Sequence, residues 1–257
     1  MRNRGIILGA ILLPALFSIS QQLNIHTSSG TDTYSLEEVE SIDLDVDLSL
    51  PGTVRDIDGN VYLTVIIGNQ EWMAENLSVT HYNNGDAIPN VTDNTEWEHL
   101  KSGAYCDYEN DVNNSEIYGR LYNWYAITDS RDLAPDGWHV PTDEEWKEME
   151  MFLGMSQAEA DNEELRGVDE GGKLKDTGTE YWYHPNTGAN NESGFEALPA
   201  GEQREAFRNL HQWACIWTST PTELGTAWYR SVHYNDSMIA RRTSTKAVGF
   251  SIRCVKD

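Results

Sequence analysis

From residue 53 onward, short runs of alternating apolar and polar residues are separated by frequent turn signals. Asp58-Gly59 and Gly68-Asn69 each lie between two such runs. Glycine and asparagine adopt the positive φ angles that tight hairpin turns require. We therefore predict two hairpins in VRDIDGNVYLTVIIGNQEWMAENL, and further short strands in WACIWTST, AWYRSVHY and GFSIRCV.

Two segments instead show the spacing of apolar residues that is typical of a helix. They are YGRLYNWYAI, residues 118–127, and TDEEWKEMEMFLG, residues 142–154. Their apolar faces consist of Leu121, Trp124 and Tyr125 in the first segment, and of Trp146, Met149, Phe152 and Leu153 in the second. Two helices, many short strands and no alternation of strand and helix predict an α+β fold with antiparallel sheets.

The segment GWHVPTDEEW, residues 137–146, combines a histidine with three acidic residues and so raises the question of a metal or acid/base site. Thr142 and Glu145 match a capping box, in which each side chain bonds the backbone N–H of the other residue. Acidic residues in a first turn also offset the helix dipole. His139 lacks the HExxH spacing of a zinc site. We interpret the segment as a helix start, with a structural role for His139.

The amino-terminal residues have the features of an export signal. Arg2 and Arg4 precede an apolar run at residues 5–17, and Ser18 and Ser20 supply the small residues that precede a cleavage site. The run is too short to span a bilayer comfortably. We therefore predict that residues 1–20 are a signal peptide cleaved near Ser20. The mature chain is then exported, to the periplasm, the cell surface or the medium, without a transmembrane anchor.

Residues 21–52 differ from the rest of the chain. LNIHTSSGTDTYSL predicts two alternating runs around a Ser-Gly turn, and Ser35 with Glu38 matches a capping box for a short helix. An acidic run then ends at Pro51-Gly52. We interpret this segment as an adapter or linker with little core of its own, and residues 53–257 as the main domain.

The chain has 18 basic and 42 acidic residues, a net charge of −24. This balance argues against nucleic-acid binding and against adsorption to anionic lipid. In DYENDVNNSE, Asp107, Glu109 and Asp111 alternate as oxygen donors of a calcium loop do. Val112 replaces the glycine of an EF-hand and Tyr118 its bidentate glutamate, so only a looser calcium site is predicted. A solvated acidic loop is the alternative, and no other cofactor is predicted.

Eight motifs along the chain together resemble a known family, the Fibrobacter succinogenes major paralogous domain of secreted bacterial modules. In order, they are DIDGNVYLTVIIGNQEWMAENL, NGDAIPNVTDNTEW, GAYCDYEND, YGRLYNWYAI, APDGWHVPTDEEW, GGKLKDTGT, NTGANNESGFEALPAG and GFSIRCVKD. The resemblance covers roughly residues 53–257. It implies a C-type-lectin-like fold, in which two helices flank short twisted antiparallel sheets and long irregular loops form one ligand-facing surface.

The cysteines depart from what this resemblance implies. Many relatives carry Cys-Pro where this chain has Ala134-Pro135. We predict a disulfide between Cys106 and Cys254, with Cys215 as the odd thiol, and buried unpaired cysteines are the alternative. WHVPTxxEW with GFSIRCV also resembles the formylglycine-generating type of the fold, which uses two nearby late cysteines. Cys215 and Cys254 are too far apart in sequence for that pattern, and no GxSxG elbow occurs, so we predict no catalytic residues.

Aromatic residues crowd the last third of the chain and alternate with arginine and asparagine. Flat rings stack on sugars or anchor protein partners, and polar neighbours add directional hydrogen bonds. We expect the contacts to come from connecting segments, at residues 222–226 and 235–246, with Arg241 and Arg242 as an anion-accepting patch in a loop. The predicted ligand-binding residues are Trp228, Tyr229, Arg230, Tyr234, Asn235, Arg241 and Arg242. The alternative is that alternate members of AWYRSVHY are core.

These features favour an exported, non-catalytic binding module that recognises a carbohydrate or a protein at the cell surface through loops. Two alternatives stay open. The chain is a structural or surface-assembly subunit with residues 21–51 as a docking arm, or it is an enzyme of the formylglycine-generating type.

Overall fold

The computed structural model describes residues 52–222 and 225–257, and before them only the backbone of two strands. The chain divides into two compact units, Met1–Leu48 and Ser49–Asp257. In the first unit, β1 (Gln22–Thr27) and β2 (Gly30–Ser35) pair antiparallel, as the two alternating runs predict. The signal peptide and Glu38 of the proposed capping box lie outside the described residues. No helix in the described part is long and apolar enough to cross a membrane.

The second unit mixes short helices with antiparallel strands. Its helices are α1 (Asn94–Glu98), α2 (Val112–Tyr118), α3 (Trp124–Ile127), α4 (Asp143–Phe152), α5 (Gln157–Ala160) and α6 (Glu170–Leu174). Its strands are β3 (Thr53–Arg55), β4 (Val61–Ile67), β5 (Gln70–Met73), β6 (Tyr105–Cys106), β7 (Leu121–Tyr122), β8 (Trp138–His139), β9 (Glu164–Arg166), β10 (Glu202–Gln203), β11 (Phe207–Arg208), β12 (Trp213–Pro221), β13 (Thr226–His233), β14 (Ile239–Thr245) and β15 (Val255–Lys256). This composition confirms the α+β class with mostly antiparallel sheets.

A five-stranded sheet carries the two predicted hairpins, in the order β3-β4-β5-β15-β8. The hairpin turns lie at Asp58-Gly59 and Gly68-Asn69, and both glycines have positive φ, at 86° and 65°. A four-stranded sheet has the order β12-β13-β14-β9. Its strands β12 and β13 correspond to WACIWTST and AWYRSVHY, so these two strand predictions are confirmed.

The helix predicted at residues 118–127 is wrong. Gly119 ends α2 with φ 72°, and β7 then separates α2 from α3. A Cβ at Gly119 would lie 2.6 Å from Asn76 Cβ. Asn76 follows β5, so a segment far away in the sequence packs closely against the end of α2. The Asn123 side chain then starts α3 by accepting a hydrogen bond from the Ala126 amide. The helical spacing of apolar residues was misleading, because Leu121 and Trp124 lie in different short elements and pack in different hydrophobic clusters.

The helix start predicted at Thr142 is confirmed, and α4 carries both hydrogen bonds of a capping box. Trp146 of α4 packs edge-on against Trp72 and Phe195, with ring centroids at 5.1 and 5.6 Å, in the main core. The prediction that Phe152 belongs to the buried face is wrong. Its side chain is 64% exposed and covers Gly68.

Candidate binding site

Strand β13 presents alternate residues to two faces of the four-stranded sheet, and both faces are covered. Tyr229 is buried, with its ring centroid 4.5 Å from that of Phe250 and 6.1 Å from that of Trp217. The prediction that Tyr229 touches a ligand is therefore wrong, because its ring is part of the core.

Arg230 and Arg241 belong to a buried ionic network between the sheet and α4. Arg230 donates to Asp143 and Glu150 at 2.7 Å each, and Arg241 donates to the other Asp143 oxygen at 2.7 Å. Burial raises the pKa of Asp143, but the bond from Arg241 and the charge of Arg230 outweigh it and bring the pKa to about 2. These arginines hold α4 on the sheet, and all three nitrogens of each guanidinium already donate hydrogen bonds within the protein.

The interpretation of Arg241 and Arg242 as a loop patch is wrong, because both lie in β14. They point to opposite faces of the sheet. Arg242 pairs with the exposed carboxylate of Glu164 at 2.6 Å. Trp228 is half-buried, and the Arg241 guanidinium lies 3.7 Å from its ring centroid, so one face of this indole is occupied.

The acidic loop does not assemble the predicted calcium site. Asp107 is buried, accepts a hydrogen bond from the Ser115 hydroxyl and pairs with Arg120. Asp111 caps α2 by accepting from the Asn113 amide. Glu109 is exposed. Within the described ranges no group of three or more His, Cys, Asp or Glu side chains could hold a metal ion, so the prediction for these residues is wrong.

The predicted disulfide is also wrong. Cys106, Cys215 and Cys254 are free thiols, each buried in a different hydrophobic cluster. Burial raises the pKa of all three thiols above the ordinary value. They therefore stay protonated and behave as small apolar side chains, the alternative given above.

In β13, Ser231 and His233 are the two side chains that most resemble a catalytic nucleophile and its base. Ser231 Oγ lies 3.1 Å from His233 Nε2. Burial, with the charge of Arg242, lowers the pKa of His233 to about 4, so the ring is neutral at pH 7. Both side chains are buried, and the Trp213 ring stacks on the imidazole at 4.7 Å. The indole therefore covers one face of the imidazole.

An exposed aromatic surface lies at the far end of β13, and we call it the Tyr183 platform. It consists of Tyr183, His211 and Tyr234. Tyr183 stacks on His211 with a centroid distance of 5.5 Å and an interplanar angle of 24°. Tyr234 packs edge-on against Tyr183 at 6.2 Å. Tyr183 is 51% exposed although the imidazole lies against one ring face.

Loop backbones fix the platform rings. Tyr183 lies between α6 and β10, His211 between β11 and β12, and Tyr234 directly after β13. The Tyr183 amide donates to the His211 carbonyl at 2.8 Å. His211 Nδ1 donates to the Tyr181 carbonyl at 2.7 Å, which orients the imidazole. His211 has φ 64°, an uncommon value for a residue with a side chain, and such positions cluster at functional sites.

The platform contains one residue predicted from the sequence, Tyr234, and the predicted Asn235 follows it with an exposed side chain. Tyr183 and His211 were missed. The run YWYHPN was the available signal, since it places aromatic residues beside a proline in a loop. A half-exposed ring beside an exposed amide can bind one flat apolar face and an adjacent polar group of a ligand.

Comparison with known proteins gives one family. A model described as the Fibrobacter succinogenes major domain matches residues 65–256. No curated protein and no solved structure matches the chain.

Proposed function

The chain belongs to the Fibrobacter succinogenes major domain family, and on that premise we propose that it is an exported, non-catalytic module that binds a neutral carbohydrate. The proposal includes a C-type-lectin-like architecture, in which loops on a sheet scaffold contact the ligand. Its site is the Tyr183 platform together with Asn235.

The half-exposed ring of Tyr183 carries this proposal. Pyranose rings have an apolar face of C–H groups, which packs on the negative face of an aromatic ring. His211 and Tyr234 hold the tyrosine in place, so little conformational entropy is lost when a sugar binds. The exposed Asn235 amide follows Tyr234 in the chain and supplies a donor and an acceptor for hydroxyl groups.

The charge of the chain favours a neutral glycan over an anionic one. A net charge of −24 creates a negative potential that repels uronic acids and sulfated sugars before they reach the surface. In other folds, binding residues also concentrate in loops that a rigid scaffold positions.

The test is a glycan array followed by calorimetry with purified residues 21–257. We expect a neutral glycan to bind, Tyr183→Ala to abolish binding, and Tyr183→Phe to preserve it because the ring is kept. Phe152→Ala is the matched control, since that ring is also exposed but lies on α4. The proposal would be contradicted if the chain bound a protein and no glycan. It would also be contradicted if Tyr183→Ala bound the glycan as tightly as the native chain does.

A further inference from the structure

Lys175 is a buried cation that directly follows α6. Its Nζ donates to the carbonyl oxygens of Thr187 at 2.8 Å, His233 at 2.9 Å and Asp236 at 2.7 Å. A lysine ammonium has three N–H donors, so the three carbonyls occupy all of them. Hydrogen bonds from a charged donor are stronger than those between neutral groups. This side chain therefore joins two separate segments of the chain, one at residue 187 and one at residues 233–236.

The sequence of α6 explains how the ammonium reaches these carbonyls. A Cβ on Gly171 would overlap the Met238 carbonyl, and a Cβ on Gly172 would overlap the Gly188 carbonyl. Because glycine has no Cβ, α6 lies directly against the backbone of both segments. Residues 170–175, EGGKLK, therefore place the lysine beside the two segments that it joins.

The three acceptor residues flank two members of the Tyr183 platform. Thr187 lies four residues after Tyr183, and Tyr234 lies between the other two acceptors. The Thr187 amide also donates to the Tyr234 carbonyl at 2.8 Å. On the other side of Tyr183, the ring centroid of Trp182 lies 5.5 Å from Nζ of Lys175. The ammonium therefore connects the segment that carries Tyr183 to the segment that carries Tyr234.

We propose that Lys175 is a positioning residue of the Tyr183 platform, whose ammonium holds the rings of Tyr183 and Tyr234 in their edge-on contact and so keeps the platform ready for a sugar. The ring centroids of that contact are 6.2 Å apart. A surface that is already ordered loses less conformational entropy when a ligand binds. Only the nature of the ligand rests on the proposed function, because the ring arrangement is measured without any ligand.

The protonation of Lys175 gives the platform a pH dependence. Burial lowers the pKa of Lys175 to about 8, although the charge of Asp236 opposes this shift. A neutral amine has two N–H donors, so above this pH at least one carbonyl loses its donor. Burial lowers the pKa of the neighbouring His233 to about 4, so its imidazole stays neutral in this range. Because the folded pKa of Lys175 lies below the ordinary value of 10.5, its contribution to the free energy of unfolding increases as the pH rises between the two values. A change in the platform near pH 8 is therefore separable from unfolding.

NMR spectra of the purified chain without sugar test the positioning. We expect strong NOE cross-peaks between the ring protons of Tyr183 and Tyr234 at about pH 7, and a loss of about half their intensity at about pH 9, without a fall in urea stability. Lys175→Met removes every donor, so we expect weak cross-peaks at both pH values. Cross-peaks that keep their intensity in the native chain at the higher pH would overturn the proposal. Cross-peaks in Lys175→Met that match those of the native chain would overturn it as well.

Arg253→Met is the matched control. Arg253 is also a fully buried cation that donates to backbone carbonyls, but its acceptors are Phe195 and Glu196, which are not part of the platform. We expect this variant to lose stability and to keep the cross-peaks between the two tyrosine rings. If Arg253→Met weakens the cross-peaks as much as Lys175→Met does, the effect belongs to any buried cation and the role of Lys175 is wrong.

Sugar titrations separate this inference from the proposed function. The probes are methyl glucoside, methyl galactoside and methyl mannoside at millimolar concentrations, and the ring resonances of Tyr183 report binding. We expect a sugar that shifts these resonances to bind Lys175→Met about tenfold more weakly, because the variant must order the platform on binding. If no sugar shifts them while the cross-peaks depend on Lys175, the positioning stands and the carbohydrate ligand is wrong. If a sugar binds Lys175→Met as tightly as the native chain, the positioning is wrong and the proposed function stands.

Discussion

His139 joins the start of α4 to the last residue of the chain. Its Nδ1 lies 2.6 Å from Asp257 and its Nε2 lies 2.8 Å from Glu145. The same Glu145 side chain also accepts from the Thr142 amide at 2.7 Å, so one carboxylate serves the helix cap and the imidazole. His139 and the three acidic side chains of the GWHVPTDEEW segment therefore each have a structural partner.

The pairing of His139 predicts a pH dependence of stability. Burial lowers the pKa of His139, but hydrogen bonds to Asp257 and Glu145 outweigh burial and raise it above the ordinary value of 6.5. A raised folded-state pKa means that the stabilisation is fully present below the ordinary pKa and is lost as the pH rises through the folded value. We therefore expect His139→Ala to destabilise the domain more at about pH 5.5 than at about pH 9.

Urea unfolding of both proteins at the two pH values measures this difference. An equal loss of stability at both would contradict the pairing. Sugar binding by His139→Ala should match the native chain, because His139 lies in the five-stranded sheet and not at the platform.

At the scale of elements, α4 is held on the four-stranded sheet by charge as well as by apolar packing. Asp143 and Glu150 project from α4 to Arg230 of β13, and Asp143 also meets Arg241 of β14. Removing one partner of a buried ion pair leaves an uncompensated charge, which is costly. An exposed pair such as Arg242 with Glu164 contributes little, because water already solvates both groups.

Adjacent arginines should therefore differ sharply in their contribution to stability. We expect Arg241→Ala to lower the free energy of unfolding by about 3 kcal/mol, and Arg242→Ala to lower it by less than about 1 kcal/mol. The two variants remove the same side chain from neighbouring positions of one strand, so each is the control of the other. Chemical denaturation followed by circular dichroism measures both, and equal losses would show that the buried network has been misassigned.

The sequence predicted those elements whose signals are local. The cap at Thr142 and the glycine turns at Gly59 and Gly68 depend on residues a few positions apart, and all three were predicted correctly. The end of α2 at Gly119 depends on contact with Asn76, and strand β14 is fixed by pairing with β13 and β9. IARRTST shows no apolar alternation, so nothing in the sequence distinguished this strand from a loop.

Local signals also determined which part of the candidate site could be predicted. Tyr234 and Asn235 follow a strongly patterned strand, so their place at its end could be inferred from the sequence. Tyr183 and His211 are 28 residues apart, and only the folded loops stack one ring on the other. Arg230 was predicted as a ligand contact because it alternates with aromatic residues, and Arg241 because it is one of two adjacent arginines in a predicted loop. Their carboxylate partners on α4 lie far away in sequence, so no local pattern indicated that the two arginines are buried.

At the scale of the whole molecule, charge and aromatic content support the proposed kind of ligand. The surplus of acidic residues extends along the chain, so its field repels anionic partners generally and not at one site. Against that background, the Tyr183 platform presents an uncharged stacking face. The proposed neutral, polyhydroxylated ligand fits such a surface.

Export is the prediction that concerns the whole chain. Arg2 and Arg4, the apolar run at residues 5–17 and the serines before Gln21 form the three parts of a cleavable signal in the usual order. We therefore expect the mature protein to begin near Gln21, outside the cytoplasm, where a carbohydrate ligand is accessible. Intact-mass measurement of the protein from a bacterial host, after separation of cytoplasm from exported fractions, determines the amino terminus.

Leu12→Arg is the control, since a charge in the apolar run should block export and leave the full-length chain in the cytoplasm. Recovery of an exported chain that retains residues 1–20 would contradict cleavage, and an unchanged location of Leu12→Arg would contradict the signal itself.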